Sequence, residues 1–333
     1  MTVATGVGSL PGTDIAEAVR TVVGELPDFV HLPELPARGA PASMIGRATA
    51  LLSGLGADLQ PAGWRLTDAP GADQRRALSL LTQDLDLLEE HTQGYAGRLK
   101  VQAAGPWSLA AGMERPRGDR VLADAGARRE LAQSLAAGLT DFVADLRRRV
   151  PAAILVVQID EPALPAVLAG SIPTASGFSR HRTVHPPVAV EALREVTDAV
   201  RDAGAVPVVH CCAADVPMAL LRQAGAAAVS FDLSLLVGTS AAGGDVWAEA
   251  FDAGVDLWPG IVPGTDPVTS PSAAASTSMI LRFVDGLGLA LDAVGPRLVL
   301  TPACGLAGAS PSWSRQAMRL VGEVAALVGA ESD

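Results

Sequence analysis

Eight short apolar strand candidates, alternating with segments of helical period, predict a single (β/α)8 TIM barrel of α/β class over residues 1–333. Two further observations favour it over an open doubly wound sheet. The chain has no Gly-x-Gly-x-x-Gly fingerprint and no Walker-type lysine, because its one lysine, Lys100, lies within a strand candidate. The polar residues of the strands also collect at their C-terminal ends, where such barrels carry their chemistry.

The first strand is read at residues 5–9. A Thr13-Asp14 start signal follows, then Ile15, Val19, Val22, Val23 and Leu26 at helical spacing. The second strand is residues 29–34. Residues 35–98 form an elaborated connection between strands two and three, with helical patterns near 42–55 and 73–90 around a Pro/Gly/Trp stretch. Strand three is 99–104, and Leu131, Leu135, Leu139, Phe142 and Leu146 stripe the helix at 129–148. Strand four is 154–160. Residues 170–187, rich in Ser, Pro, Arg and His, are a candidate lid before a helix at 190–203. Strand five (206–212), a helix (216–224), strand six (229–233), strand seven (257–262), a helix (276–291), strand eight (298–304) and a helix (312–328) complete the alternation.

With 49% hydrophobic and 18% charged residues the chain can bury a large core. A net charge of -11 and pI near 4.9 argue against a nucleic-acid partner. The start Met1–Thr5 lacks a basic, apolar leader, and no apolar run reaches the roughly 18 residues that span a bilayer. Three cysteines, two adjacent, do not make a disulfide framework, so a cytoplasmic location is expected.

Ser9, Glu34, Asp160, His210, Cys212, Asp232 and Cys304 mark six strand ends, with Glu161 directly after Asp160. Strand alternation puts His210 and Cys212 on one face and Cys211 on the other. One imidazole, two thiolates and a carboxylate (His210, Cys212, Cys304, Asp232) thus form a zinc-type ligand set. Blander readings stand beside this one. Cysteines are common small core residues, and Asp232 is equally suited to capping the next segment through Ser234. His31 reads as a core residue, His91 as solvent-facing, and His181 and His185 as solvated lid residues or substrate contacts.

Gly8-Ser9-Leu10-Pro11, Asp160-Glu161-Pro162-Ala163-Leu164, His210-Cys211-Cys212 and Cys304-Gly305-Leu306, in that order, resemble the C-terminal catalytic barrel of cobalamin-independent methionine synthase. That barrel belongs to the uroporphyrinogen-decarboxylase-like superfamily. The resemblance implies Zn2+ on His210, Cys212, Asp232 and Cys304. It implies homocysteine on Gly8, Ser9, Glu34 and Asp160, and methyl transfer to its sulfur from a methyl-folate or methyl-corrinoid donor. The chain departs from the family in three ways. Asp232 replaces a Glu, no histidine stands near Thr265 where the family has its proton donor, and the acidic folate contact falls near Ala166. A lid acid, His181 or His185, is the substitute to look for. A thiol alkyltransferase fed by a corrinoid protein or another small donor, and a non-catalytic small-molecule-binding barrel, are the alternative readings.

Overall fold

The computed structural model describes residues 2–236 and 241–332. Its strands are β1 (Val3–Ala4), β2 (Phe29–His31), β3 (Gly56–Gln60), β4 (Gly63–Thr67), β5 (Arg98–Ala104), β6 (Ile154–Asp160), β7 (Val206–Cys211), β8 (Ala228–Asp232), β9 (Asp256–Val262) and β10 (Val299–Pro302). β3 and β4 pair as an antiparallel hairpin. The other eight form one sheet in the order β1-β10-β9-β8-β7-β6-β5-β2, and every pairing within it is parallel. Its two edges meet just past β1 and β2, where Ser9 bridges Glu34. There Glu34 N–H donates to the Gly8 carbonyl (3.1 Å) and Leu10 N–H to the Glu34 carbonyl (2.8 Å). The closure makes the (β/α)8 barrel that the strand–helix alternation predicts.

Side chains at the helix starts fix where several helices begin. Asp14 accepts from Glu17 N–H at the start of Ile15–Glu25, Asp124 from Ala127 N–H before Ala125–Arg149, and Ser272 from Ala275 N–H before Ala273–Gly286. The Leu131, Leu135, Leu139, Phe142 and Leu146 stripe is buried, so the predicted helical face is the one that packs. Helices Pro106–Gly112 and Ala241–Asp252 lie in segments that sequence periodicity left unassigned. Among the described residues no single helix is long and apolar enough to cross a membrane.

The connection between β2 and β5 differs from expectation in one respect. Its Pro/Gly/Trp stretch is the β3–β4 hairpin, whose buried Ala57, Trp64 and Leu66 alternate with more exposed Asp58, Arg65 and Thr67. Five-residue strands of that composition carry too weak a period-2 signal to stand out.

The strands bury two unlike faces. Outward residues such as Val101, Val157, Ile159, Val209 and Leu257 pack against the helices in one large apolar cluster. Inside the barrel the apolar filling is thin: Phe29, Val156, Val208, Ala228, Trp258 and Val299, with Phe29 and Trp258 edge-on at 5.4 Å. Two residues further along the strands the inward positions become His31, Gln158, His210, Ser230 and Thr301, with Lys100 beside them, all buried and polar. A buried polar group without a partner costs about 1–3 kcal/mol. A barrel that turns polar one layer above its floor is therefore built around a site at its C-terminal mouth.

Candidate metal centre and substrate pocket

His210, Cys212 and Cys304 converge at that mouth, with their nitrogen and sulfur ligand atoms all within 4.8 Å of one another. β7 delivers His210 on its inward face, and Cys212 follows directly after the strand's last residue. β10 stops at Pro302, after a register shift against β9 between Thr301 and Pro302, so Cys304 sits past the strand and is freed from its alternation. The turn that carries it is tightly seated. Leu306 N–H donates to the Ser9 carbonyl (2.8 Å), and a Cβ on Gly305 would lie 2.1 Å from Ser9 Oγ. Cys211, one residue away from Cys212, is fully buried on the helix side, and burial pushes its thiol up to about 12.

The donor set fits a zinc ion. His210 Nδ1 lies 2.9 Å from Ser230 Oγ, which fixes the ring, while its buried Nε2 makes no hydrogen bond. The Cys212 and Cys304 sulfurs are 3.1 Å apart, well beyond a disulfide bond of about 2.05 Å, and all three cysteines are free. In this pair the Cys304 thiol is held down to about 4, chiefly by the hydrogen bond from Cys212 and then by the His210 imidazole. Cys212 is pushed up by the same shared proton and by burial. One nitrogen and two sulfurs leave a fourth tetrahedral position open, the pattern of catalytic rather than structural zinc.

Asp232 stands apart from this group. Its Oδ1 accepts from both Ser234 N–H (2.9 Å) and Ser234 Oγ–H (2.6 Å), as a cap does. The carboxylate lines a cavity of about 710 Å3 that also borders Cys304.

The residues expected to hold an amino acid gather on the other side of the mouth. Gly8 has φ +154, and a Cβ there would lie 2.8 Å from Gln102 Cδ, so the site needs glycine. Glu34 is buried, and its Oε1 accepts from Arg47 Nε (3.1 Å). Arg47 also grips Asp84 (2.6 Å), which in turn takes a two-pronged contact from Arg38 (2.7 Å each). The elaborated β2–β5 connection thus supplies a buried carboxylate–guanidinium chain that locks Glu34 in place. Asp160 ends β6 beside His210 in register, and its Oδ1 accepts from Gln158 Nε2 (2.7 Å). Burial pushes the Asp160 carboxyl up to about 7. Glu161 points elsewhere. It accepts from the Trp107 and Ser108 N–H groups (2.8 Å each) and Ser108 Oγ–H (2.9 Å), anchoring the start of helix Pro106–Gly112.

Sequence reasoning passed over Lys100. It is fully buried inside the barrel, with Nζ donating to the Val7 carbonyl (2.7 Å) and Gln102 Oε1 (3.1 Å). Burial lowers its ammonium to about 7, against the pull of the Asp160 and Glu34 carboxylates. A lone lysine two residues before Gln102, inside a strand otherwise apolar, was the available signal. The shift makes stability depend on pH. Between about pH 7 and 8.5 the unfolded chain keeps a lysine proton that the folded chain has lost, so stability rises with pH across that window. Above it the buried Cys211 thiol acts in the opposite sense. Urea titrations from pH 7 to 10 should show this limb as the difference between the parent chain and Lys100→Met, whose stability lacks the rise. Equal slopes in the two proteins would place the lysine proton elsewhere.

His181 and His185 do not form a pair. His181 Nε2 is buried 3.3 Å from Asp119 Oδ1, an oxygen that accepts from Arg120 and Ala175 N–H. His185 is exposed at the start of helix Pro186–Asp202. Thr265 lines the cavity beside Cys304.

A family model described as the cobalamin-independent synthase catalytic domain matches residues 110–327, well over half of the 333. Among solved structures, the chain superposes on a B12-independent methionine synthase from Shewanella sp. W3-18-1 in complex with selenomethionine, with a TM-score of 0.64 and 12% identity. That alignment covers 99% of this chain and 98% of the other. It also superposes on a β-galactosidase from the psychrophilic Marinomonas ef1 at TM-score 0.50 and 13% identity, over 98% of this chain and 59% of that one. At such identities both likenesses speak to the barrel alone. No curated protein matches the chain by sequence. With its His/Cys/Cys cluster at the mouth of a closed parallel barrel and the family match across most of its strands, the chain belongs to the cobalamin-independent methionine synthase catalytic-domain family.

Proposed function

We propose that this protein is a zinc-dependent thiol S-methyltransferase that converts homocysteine to methionine. The observation that carries the reading is the convergence of the His210 imidazole and the Cys212 and Cys304 sulfurs at the barrel mouth, their ligand atoms within 4.8 Å of one another. Zinc held by these three residues supplies deprotonation of a substrate thiol, whose free pKa is near 8.5, at neutral pH.

The chain's own residues do the rest. Ser230 holds the His210 ring, and the Ser9–Leu306 bond seats the Cys304 turn. Glu34, fixed by Arg47, and Asp160, fixed by Gln158, are the acceptors for the amino acid's ammonium, and the Gly8–Ser9 backbone lies beside them for its carboxylate. Thiols this close stay unbridged in a reducing compartment, which is why we assign the cytoplasm.

X-ray absorption at the zinc edge tests the reading directly. Homocysteine should raise the number of sulfurs on zinc from two to three, and an unchanged count would overturn the assignment. Calorimetry of Asp160→Asn checks the ammonium clamp. A charged contact contributes about 1.5–3 kcal/mol, so homocysteine affinity should fall at least about tenfold. Zinc content should not change. Unaltered affinity would mean that the substrate is not an amino acid held this way.

A further inference from the structure

The cavity beside Cys304 has no role in the acceptor site. β8 and the turns after β9 and β10 form one wall, and helix Ala273–Gly286 forms the other. Most of its surface is apolar, from residues such as Val262, Pro271 and Met279. Two charges of opposite sign break that surface. Asp232 comes from a strand end, and Arg282 comes from the helix, on the face that also presents Ser276 and Met279 at three-residue spacing. Arg282 makes no ion pair or hydrogen bond among the described residues, whereas Asp232 lines the cavity with its Oδ1 held by Ser234. At about 710 Å3 the space suits one small ligand.

Among the described residues that line it, the polar side chains other than Asp232 and Arg282 are hydroxyls and Cys304, groups that do not serve as strong proton donors to a leaving group. A donor bound here must therefore release its methyl group without protonation. It must also satisfy a carboxylate near the reacting sulfur and a guanidinium on the facing helix.

We propose that this cavity binds the methyl donor, and that the donor is a small methylsulfonium carboxylate. The sulfonium cation would lie toward Asp232 and the carboxylate would pair with Arg282. This inference rests on the thiol methyltransferase reading. The acceptor thiolate sulfur attacks the methyl carbon, and a carbon–sulfur bond forms to the acceptor. The methyl–sulfonium bond breaks, its electron pair stays on the donor sulfur, and a neutral thioether leaves. No proton, oxidant or reductant is consumed.

The test uses the zinc-loaded full chain with dimethylsulfoniopropionate as probe, by calorimetry and by methyl transfer to homocysteine. Saturable binding and formation of methylthiopropionate are expected. Arg282→Gln and Asp232→Asn should each weaken binding about tenfold or more, as loss of a charged contact does. Both variants should keep zinc, since Arg282 is exposed and Asn preserves the cap to Ser234. Homocysteine ligation to zinc, read by X-ray absorption, should be unaltered in Arg282→Gln, which separates failure of the donor assignment from failure of the acceptor reading. No binding at millimolar probe, equal binding by Arg282→Gln, or loss of zinc in Asp232→Asn would each overturn the proposal.

Discussion

Cys212→Ser is expected to come from purification with less than about a tenth of the zinc of the parent chain, and Cys304→Ser the same. Cys211→Ser should keep a full equivalent. The contrast follows from the strand. His210 points inward from β7 and Cys212, directly after the strand, joins it at the mouth, whereas Cys211 is fully buried on the other side. A hydroxyl at residue 212 replaces a soft anionic ligand by a neutral one and leaves two donors, too few for a tight site. At residue 211 the same change replaces a small buried thiol, and costs packing rather than metal. Metal analysis of the three variants after dialysis decides the matter. Equal zinc loss in Cys211→Ser and Cys212→Ser would refute both the parity argument and the assigned ligand set.

Methyl transfer from methyltetrahydrofolate should run at least about a hundredfold below transfer from methylcobalamin, because a positioned acid contributes roughly 10²–10⁴-fold to departure of an amine nitrogen. Cobalt leaves with its electron pair and needs no proton, as a thioether does. Among the described residues that line the cavity beside Cys304 there is no histidine. Thr265 stands in the cavity wall, and His181 Nε2 lies 3.3 Å from Asp119 Oδ1. Initial rates with each donor at saturating homocysteine measure the ratio. Folate turnover within about tenfold of methylcobalamin would show that an acid is present after all. Loss of that turnover in His181→Gln or His185→Gln would name it.

The barrel was legible because its signals are local. Leu131 to Leu146 repeat at helical spacing, and β6 and β9 read as apolar runs ending in Asp160 and Val262. His210 and Cys212, at and just past the end of β7, were legible for the same reason, since alternation along one strand needs no knowledge of its neighbours. What lay outside local pattern was pairing in space. Glu34 reads as a free carboxylate until residues 47 and 84 fold back over it, and Asp232 reads equally as ligand or cap until the Ser234 turn is seen. Lys100 is the clearest case. A lysine in a strand suggests an edge or a solvated face, and only the closed barrel shows that its ammonium points inward at Val7 and Gln102.

That lysine gives the protein a built-in clock. Lys100 is the chain's only lysine and its side chain is sealed from solvent, so an amine-directed acylating reagent reaches it only when the barrel opens. Its labelling rate, followed by mass spectrometry under native conditions, therefore counts opening events without any engineered reporter. Comparing that rate with and without homocysteine would show how firmly an occupied mouth holds the strands around it shut.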